Sequence, residues 1–168
     1  MCVTAKGYQK IRSFFERRPA LRKTMNVLNR FLPLTLYAAY PVLLFVLALL
    51  RDARFFKALV IPAFVFLAVT LLRKVINRPR PYETLEIEPL IRKEKSGESF
   101  PSRHVASAFI IAVVFSYVSL PLGIAVGVIA ALIAVIRPLA GIHYPADVLA
   151  GALFSLAIGV PAFLFLPF

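Results

Sequence analysis

Long runs without a single charge decide what this chain can become. Residues 31–50 are twenty consecutive uncharged positions, 105–136 are thirty-two and 148–168 are twenty-one. A helix needs about 20 apolar residues to cross the hydrocarbon core of a bilayer, so the first and last runs are one crossing each. The middle run is too long for one, and Leu120-Pro121-Leu122-Gly123 interrupts it with a turn signal, so it reads as a helical hairpin. A further run, 58–72, has fifteen residues, but Phe55 and Phe56 extend it past Lys57, whose ammonium can snorkel to the interface. The sum is five spans. With 60% hydrophobic residues among 168 and a mean hydropathy of +0.82, the chain carries more apolar surface than a soluble domain of this length can bury. The expected fold is all-α, a polytopic membrane helical bundle of about five transmembrane helices.

The first thirty residues differ, with eight Lys or Arg against one Glu. Tyr8, Ile11 and Phe15, then Leu21, Met25, Leu28 and Leu32, recur at spacings of three and four. This predicts a basic amphipathic helix, broken near Pro19 and lying along the membrane surface, with a disordered basic tail as the alternative. No continuous apolar stretch precedes Phe31, which argues against a cleavable signal peptide. The expected organisation is an interfacial segment over 1–30 and a transmembrane domain over 31–168. The single cysteine, Cys2, excludes an intramolecular disulfide, and one Cys with two His is a poor basis for zinc. The net charge of +12 has no polar globular segment to carry it, which favours anionic lipid headgroups over nucleic acid as partners.

Three short polar islands interrupt the apolar sequence: 73–81 (RKVINRPRP), 101–104 (PSRH) and 137–147 (RPLAGIHYPAD). They hold both histidines and the only acidic residue after Glu98. Ionisable groups beside hydrophobic spans are costly to keep dry and are functional candidates by default. Five crossings put all three islands on one membrane face, with 51–57, the Pro121 turn and the C-terminus on the other.

In the first island Arg73 and Arg80 lie seven residues apart, where Pro79 and Pro81 end a helix. Guanidinium forks suit phosphate oxygens, although a basic membrane flank is the bland explanation of the same residues. In the second, Pro101 and Ser102 open a helix whose free N–H groups and dipole favour an anion; Ser102 adds a hydroxyl, Arg103 a charge, and His104 a proton for a leaving oxygen. Taken alone, that string is better explained as an ordinary N-cap with an interfacial histidine. In the third, Pro145 suits a first helical turn, so Asp147 falls in that turn with His143 just before it. An Asp four residues after a His can accept its Nδ1–H and leave Nε2 free as base or nucleophile, and Arg137 can reach the same pocket. A helix cap would account for Asp147 but not for His143 and Arg137.

Together the islands resemble the type 2 phosphatidic acid phosphatase family, the superfamily that includes bacterial acid phosphatases and vanadium haloperoxidases. Its pattern is K-x6-R-P, then P-S-G-H, then S-R-x5-H-x3-D. Arg80-Pro81, then Pro101, Ser102 and His104, then Arg137, His143 and Asp147 match it in order and spacing. Arg73 stands where the family has lysine, with Lys74 beside it, Arg103 where it has glycine and Ile136 where it has serine.

The resemblance implies that His143 attacks phosphorus to give a phosphohistidine, that Asp147 orients its ring, and that His104 protonates the departing oxygen. Arg73, Arg80, Ser102, Arg103 and Arg137 would bind the phosphate, with no metal or other cofactor. The expected substrate is a membrane lipid phosphate of the phosphatidic acid, phosphatidylglycerol phosphate, undecaprenyl pyrophosphate or lipid A type. A vanadate-dependent haloperoxidase-like enzyme and a non-catalytic lipid-binding membrane protein are the alternatives. The loop over 82–99, with Glu83, Glu86, Glu88, Glu94 and Glu98 among Arg92, Lys93 and Lys95, reads as a partly ordered lid or a solvated connector. Seventeen of the twenty Lys and Arg fall on the motif face, so the positive-inside rule leans the active end of this multi-pass cell-membrane protein toward the cytoplasm.

Overall fold

The computed structural model describes residues 4–85, 87–91 and 96–167. Cys2, Glu86, Arg92, Lys93, Glu94 and Lys95 lie outside the described residues. The described chain is helical: α1 (Ala5–Glu16), α2 (Pro19–Leu49), α3 (Arg54–Ile76), α4 (Pro81–Thr84), α5 (Arg103–Val118), α6 (Leu120–Leu139) and α7 (Pro145–Phe165).

Capping residues and prolines set most boundaries. Thr4 caps α1, its Oγ1 accepting from Gly7 N at 3.2 Å. Pro19 begins α2 with its fixed φ, so the expected break falls there. From that point α2 runs unbroken to Leu49, carrying the second half of the basic segment directly into the first apolar run. Asn77 ends α3 in the left-handed region at φ 41°, a conformation that Asn tolerates. The hairpin turn is tighter than its sequence signal suggested: one extended residue, Ser119, separates α5 from α6, and Pro121 lies in the first turn of α6.

Among the described residues four helices are long and apolar enough to cross a membrane: α2, α3 with its continuation, α6 and α7. The fifth apolar helix, α5, has 16 residues, about 24 Å at 1.5 Å per residue. It is shorter because it is an interior helix, packed against α3, α6 and α7. Small residues let the neighbouring backbones approach it, which is how helices pack where lipid tails remove the hydrophobic drive. A Cβ on Gly151 would sit 2.6 Å from Ser102 O, and one on Gly123 only 2.4 Å from the Ser116 Cα. Ser155 Oγ donates to Ala106 O at 2.8 Å, and Tyr40 Oη donates to Ala58 O at 2.7 Å. The outward faces keep their large apolar side chains, among them Phe45, Phe64, Leu67, Leu132 and Leu153.

This connectivity gathers the ends that matter. The C-termini of α3 and α6 and the N-termini of α5 and α7 carry the three polar islands. Arg73 and Arg137 stand in last turns, where cations are favoured, while the positive ends of α5 and α7 favour an anion.

Candidate active site

Arg73, Arg80, Ser102, Arg137, His143 and Asp147 are all buried. Lys74 is exposed beside the buried Arg73, so the arginine is the cation facing inward. Arg73 Nη1 donates to Pro101 O at 2.9 Å and its Nη2 lies 3.9 Å from Glu98 Oε2. Arg80 Nε donates to Gly97 O at 3.0 Å and its Nη1 to Ile142 O at 3.5 Å. Glu83 secures that arginine from behind, its carboxylate accepting from Arg80 N at 2.6 Å and from Gly97 N at 3.0 Å. The part of the expected lid that is described thus serves as a brace. Arg80 and Arg103 both lie close enough to Arg73 to repel it, and Arg80 repels Arg137. Buried cations crowded in this way are tolerated where an anion completes them. Two donors are also held ready: among the described residues Ser102 Oγ and Arg137 Nε are buried without a hydrogen-bond partner.

Asp147 is the organising carboxylate. It accepts from Arg78 Nη1 at 2.8 Å, from Tyr144 N at 3.0 Å and from Ser99 Oγ, while its backbone O accepts from Ser102 N at 2.8 Å. His143 Nδ1 lies 3.6 Å from Asp147 Oδ2 and 3.4 Å from Ser99 Oγ. The direct Nδ1–H bond expected from the His-x3-Asp spacing is therefore an ion-pair-range contact, with the Ser99 hydroxyl bridging the two side chains. Burial pushes the imidazole down to about 4, with Arg80 and Arg137 adding to the fall and Asp147 opposing it. His143 is thus neutral at neutral pH, and a proton held on Nδ1 leaves the Nε2 lone pair available.

His104 stands half-buried in the first turn of α5, its ring centroid 6.4 Å from that of Tyr37. The Arg103 guanidinium lies 5.6 Å from the centroid of Phe66. Tyr37 and Phe66 also line an apolar cavity of about 280 Å³ between α2, α3 and α5, with Tyr40, Pro62, Ser107 and Ile110. Ile136, at the family's serine position, packs instead against Met25 and Leu90.

Two contributors escaped sequence reasoning. Arg78 lies inside the first island, but no pattern distinguished it from its neighbours; its guanidinium stacks 4.2 Å from the Tyr144 ring centroid as it reaches Asp147. Ser99 ends an acidic loop, and only its closeness to Pro101 hinted that it would be drawn inward.

Residues 54–168 match the family model of the PAP2 superfamily. The chain belongs to that superfamily. The crystal structure of LpxE from Aquifex aeolicus is similar, with a TM-score of 0.74 and 28% identity over 98% of this chain and 97% of that one. The crystal structure of the first transmembrane PAP2 type phosphatidylglycerolphosphate phosphatase from Bacillus subtilis has a TM-score of 0.52 and 23% identity over 94% and 91%, a likeness of fold. No curated protein sequence matches the chain. As a PAP2 protein with four helices fit to cross a membrane, it is a multi-pass membrane enzyme, a phosphoric monoester hydrolase.

Proposed function

We propose that this PAP2 protein hydrolyses a lipid phosphate or pyrophosphate without a metal, through a phosphohistidine on His143. The observation that carries the reading is a buried, neutral His143 set among the buried guanidiniums of Arg73, Arg80 and Arg137. His143 Nε2 attacks in line, forming a P–N bond as the P–O bond to the lipid breaks, and His104 gives its proton to the departing oxygen. His104 then takes a proton from water, which attacks phosphorus, releasing inorganic phosphate and restoring His143. The arginines and Ser102 Oγ stabilise the equatorial oxygens as charge redistributes. Asp147, held by Arg78, Ser99 and Tyr144, stabilises the positive charge that His143 gains.

The lipid assignment is supported by the apolar cavity, whose Tyr37 and Phe66 walls are the rings beside His104 and Arg103. Its lining is almost wholly apolar, with Leu59, Pro62, Ile110 and Ile111 beside the two rings, as a hydrocarbon chain requires. Purified protein in EDTA, offered diacyl phosphates, polyprenyl pyrophosphates and a water-soluble phosphate ester, is expected to release phosphate fastest from one lipid class. Equal rates on lipid and soluble esters would remove the lipid assignment, and no release in EDTA that returns with a divalent cation would remove the metal-independent mechanism.

A further inference from the structure

The basic helix α1 lies outside the part of the chain that the family model matches, yet it reaches the loop that carries His143. Its one buried residue is Tyr8, 1% exposed. The Tyr8 ring takes the space that a side chain at position 141 would need: a Cβ on Gly141 would lie 2.3 Å from Tyr8 Oη and 2.5 Å from its Cζ. Gly141 also has φ +76°, so both its conformation and its surroundings call for glycine. Leu90 N completes the contact, donating to Tyr8 Oη at 3.0 Å and to Ala140 O at 3.2 Å. One turn further along α1, Arg12 Nη2 meets Glu88 Oε2 at 2.6 Å, tying the helix to the same segment. Arg80 also reaches the loop, its Nη1 donating to Ile142 O at 3.5 Å.

We propose that Tyr8 is a positioning residue for phosphoryl transfer, wedging the 140–143 loop from below so that His143 stays buried and aimed. The proposal rests on the reading of His143 as the nucleophile. Tyr8 touches no reacting group; it acts through the backbone of Ala140 and Gly141, two residues before His143. The charged groups that face His143 are Arg80 from the connection before α4, Arg137 from α6 and Asp147 from α7, and none belongs to α1. A change in His143 titration on altering Tyr8 therefore reports loop position and hydration rather than a lost charge.

The test uses the full chain in detergent, with kcat, KM and their pH dependence on a water-soluble phosphate ester. Tyr8→Ala is expected to lower kcat about a hundredfold, since a misplacement near 1 Å costs that much, while KM changes little. The acid limb of its kcat/KM profile is expected to rise from about 4 toward 6.5, as an opened loop lets water reach the imidazole. Leu47→Ala, a buried change at the other end of the bundle, should lower thermal stability and leave the acid limb in place. Should Tyr8→Ala not fold, Tyr8→Phe keeps the wedge and loses only the acceptor for Leu90, and is expected to lower kcat about tenfold. Wild-type kcat and acid limb in the Tyr8 variants, or the same shift in Leu47→Ala, would overturn the proposal. His143→Ala, run alongside, separates the two readings: retained turnover removes the nucleophile assignment, whereas a dead His143→Ala with unchanged Tyr8 variants removes only the positioning role.

Discussion

His143 combines two properties that oppose each other in water: a lone pair free at low pH and a place among cations. Burial keeps it neutral down to about 4, below the ordinary 6.5. Between those values the unfolded chain binds more protons than the folded one, so folding stability falls as pH drops through the window, whereas the active, neutral form of folded His143 is lost only near 4. The expected acid limb of kcat/KM is near 4, measurable on a soluble ester; a limb near 6.5 would mean that the imidazole is hydrated. Ser99 stands between His143 and Asp147, and Ser99→Ala should remove one hydrogen bond to a charged group, lowering kcat about tenfold with KM little changed. The third island spelled out His143, Asp147 and Arg137 because their spacing is local chemistry around one helix start. Ser99 and Arg78 were illegible because they reach Asp147 from 48 and 69 residues away, a closeness created only by packing.

Among the elements, α5 has the most demanding position, packed on α2, α3, α6 and α7 with its N-terminus at the site. Its crossing with α7 depends on Gly151, where a methyl group would press on Ser102 O at 2.6 Å. Ser102 N is the donor to Asp147 O, so Gly151→Ala is expected to lower thermal stability, by about 1–3 kcal/mol for overpacking, and to lower kcat together with it. Gly127→Ala, with nothing within 4 Å of the new Cβ, is the matched control and should leave both unchanged. Uncharged runs announced the apolar helices, because a bilayer demands a minimum length of apolar chain. Run length could not show that the 105–136 stretch divides unevenly, since the short interior helix is set by its neighbours and not by lipid. Nor could it show that α2 continues the basic segment without a break, because charge marks a change of surroundings and not of backbone.

At the scale of the whole molecule, four helix ends and their connections place the polar islands together at one end of the bundle, as the crossing count anticipated. The same end carries the basic face of α1, with Lys6, Lys10, Arg17 and Arg18 on or just beyond it, while Asp52 pairs with Arg54 at 2.6 Å on the other. The positive-inside rule leans the site's end toward the cytoplasm, an expectation that labelling tests. A Cys2→Ser, Ser96→Cys protein in intact cells is expected to resist an impermeant maleimide until the membrane is opened; labelling from outside would reverse the orientation. The central claim, that these helix ends build a phosphatase working through His143, is tested most directly by trapping the intermediate. His104→Ala protein in EDTA, mixed with a labelled phosphate ester whose leaving group needs no proton, should acquire one acid-labile, base-stable phosphate per chain on His143. The same label should be absent from a His143→Ala, His104→Ala protein. A label that persists without His143, or steady turnover by His143→Ala alone, would contradict the account.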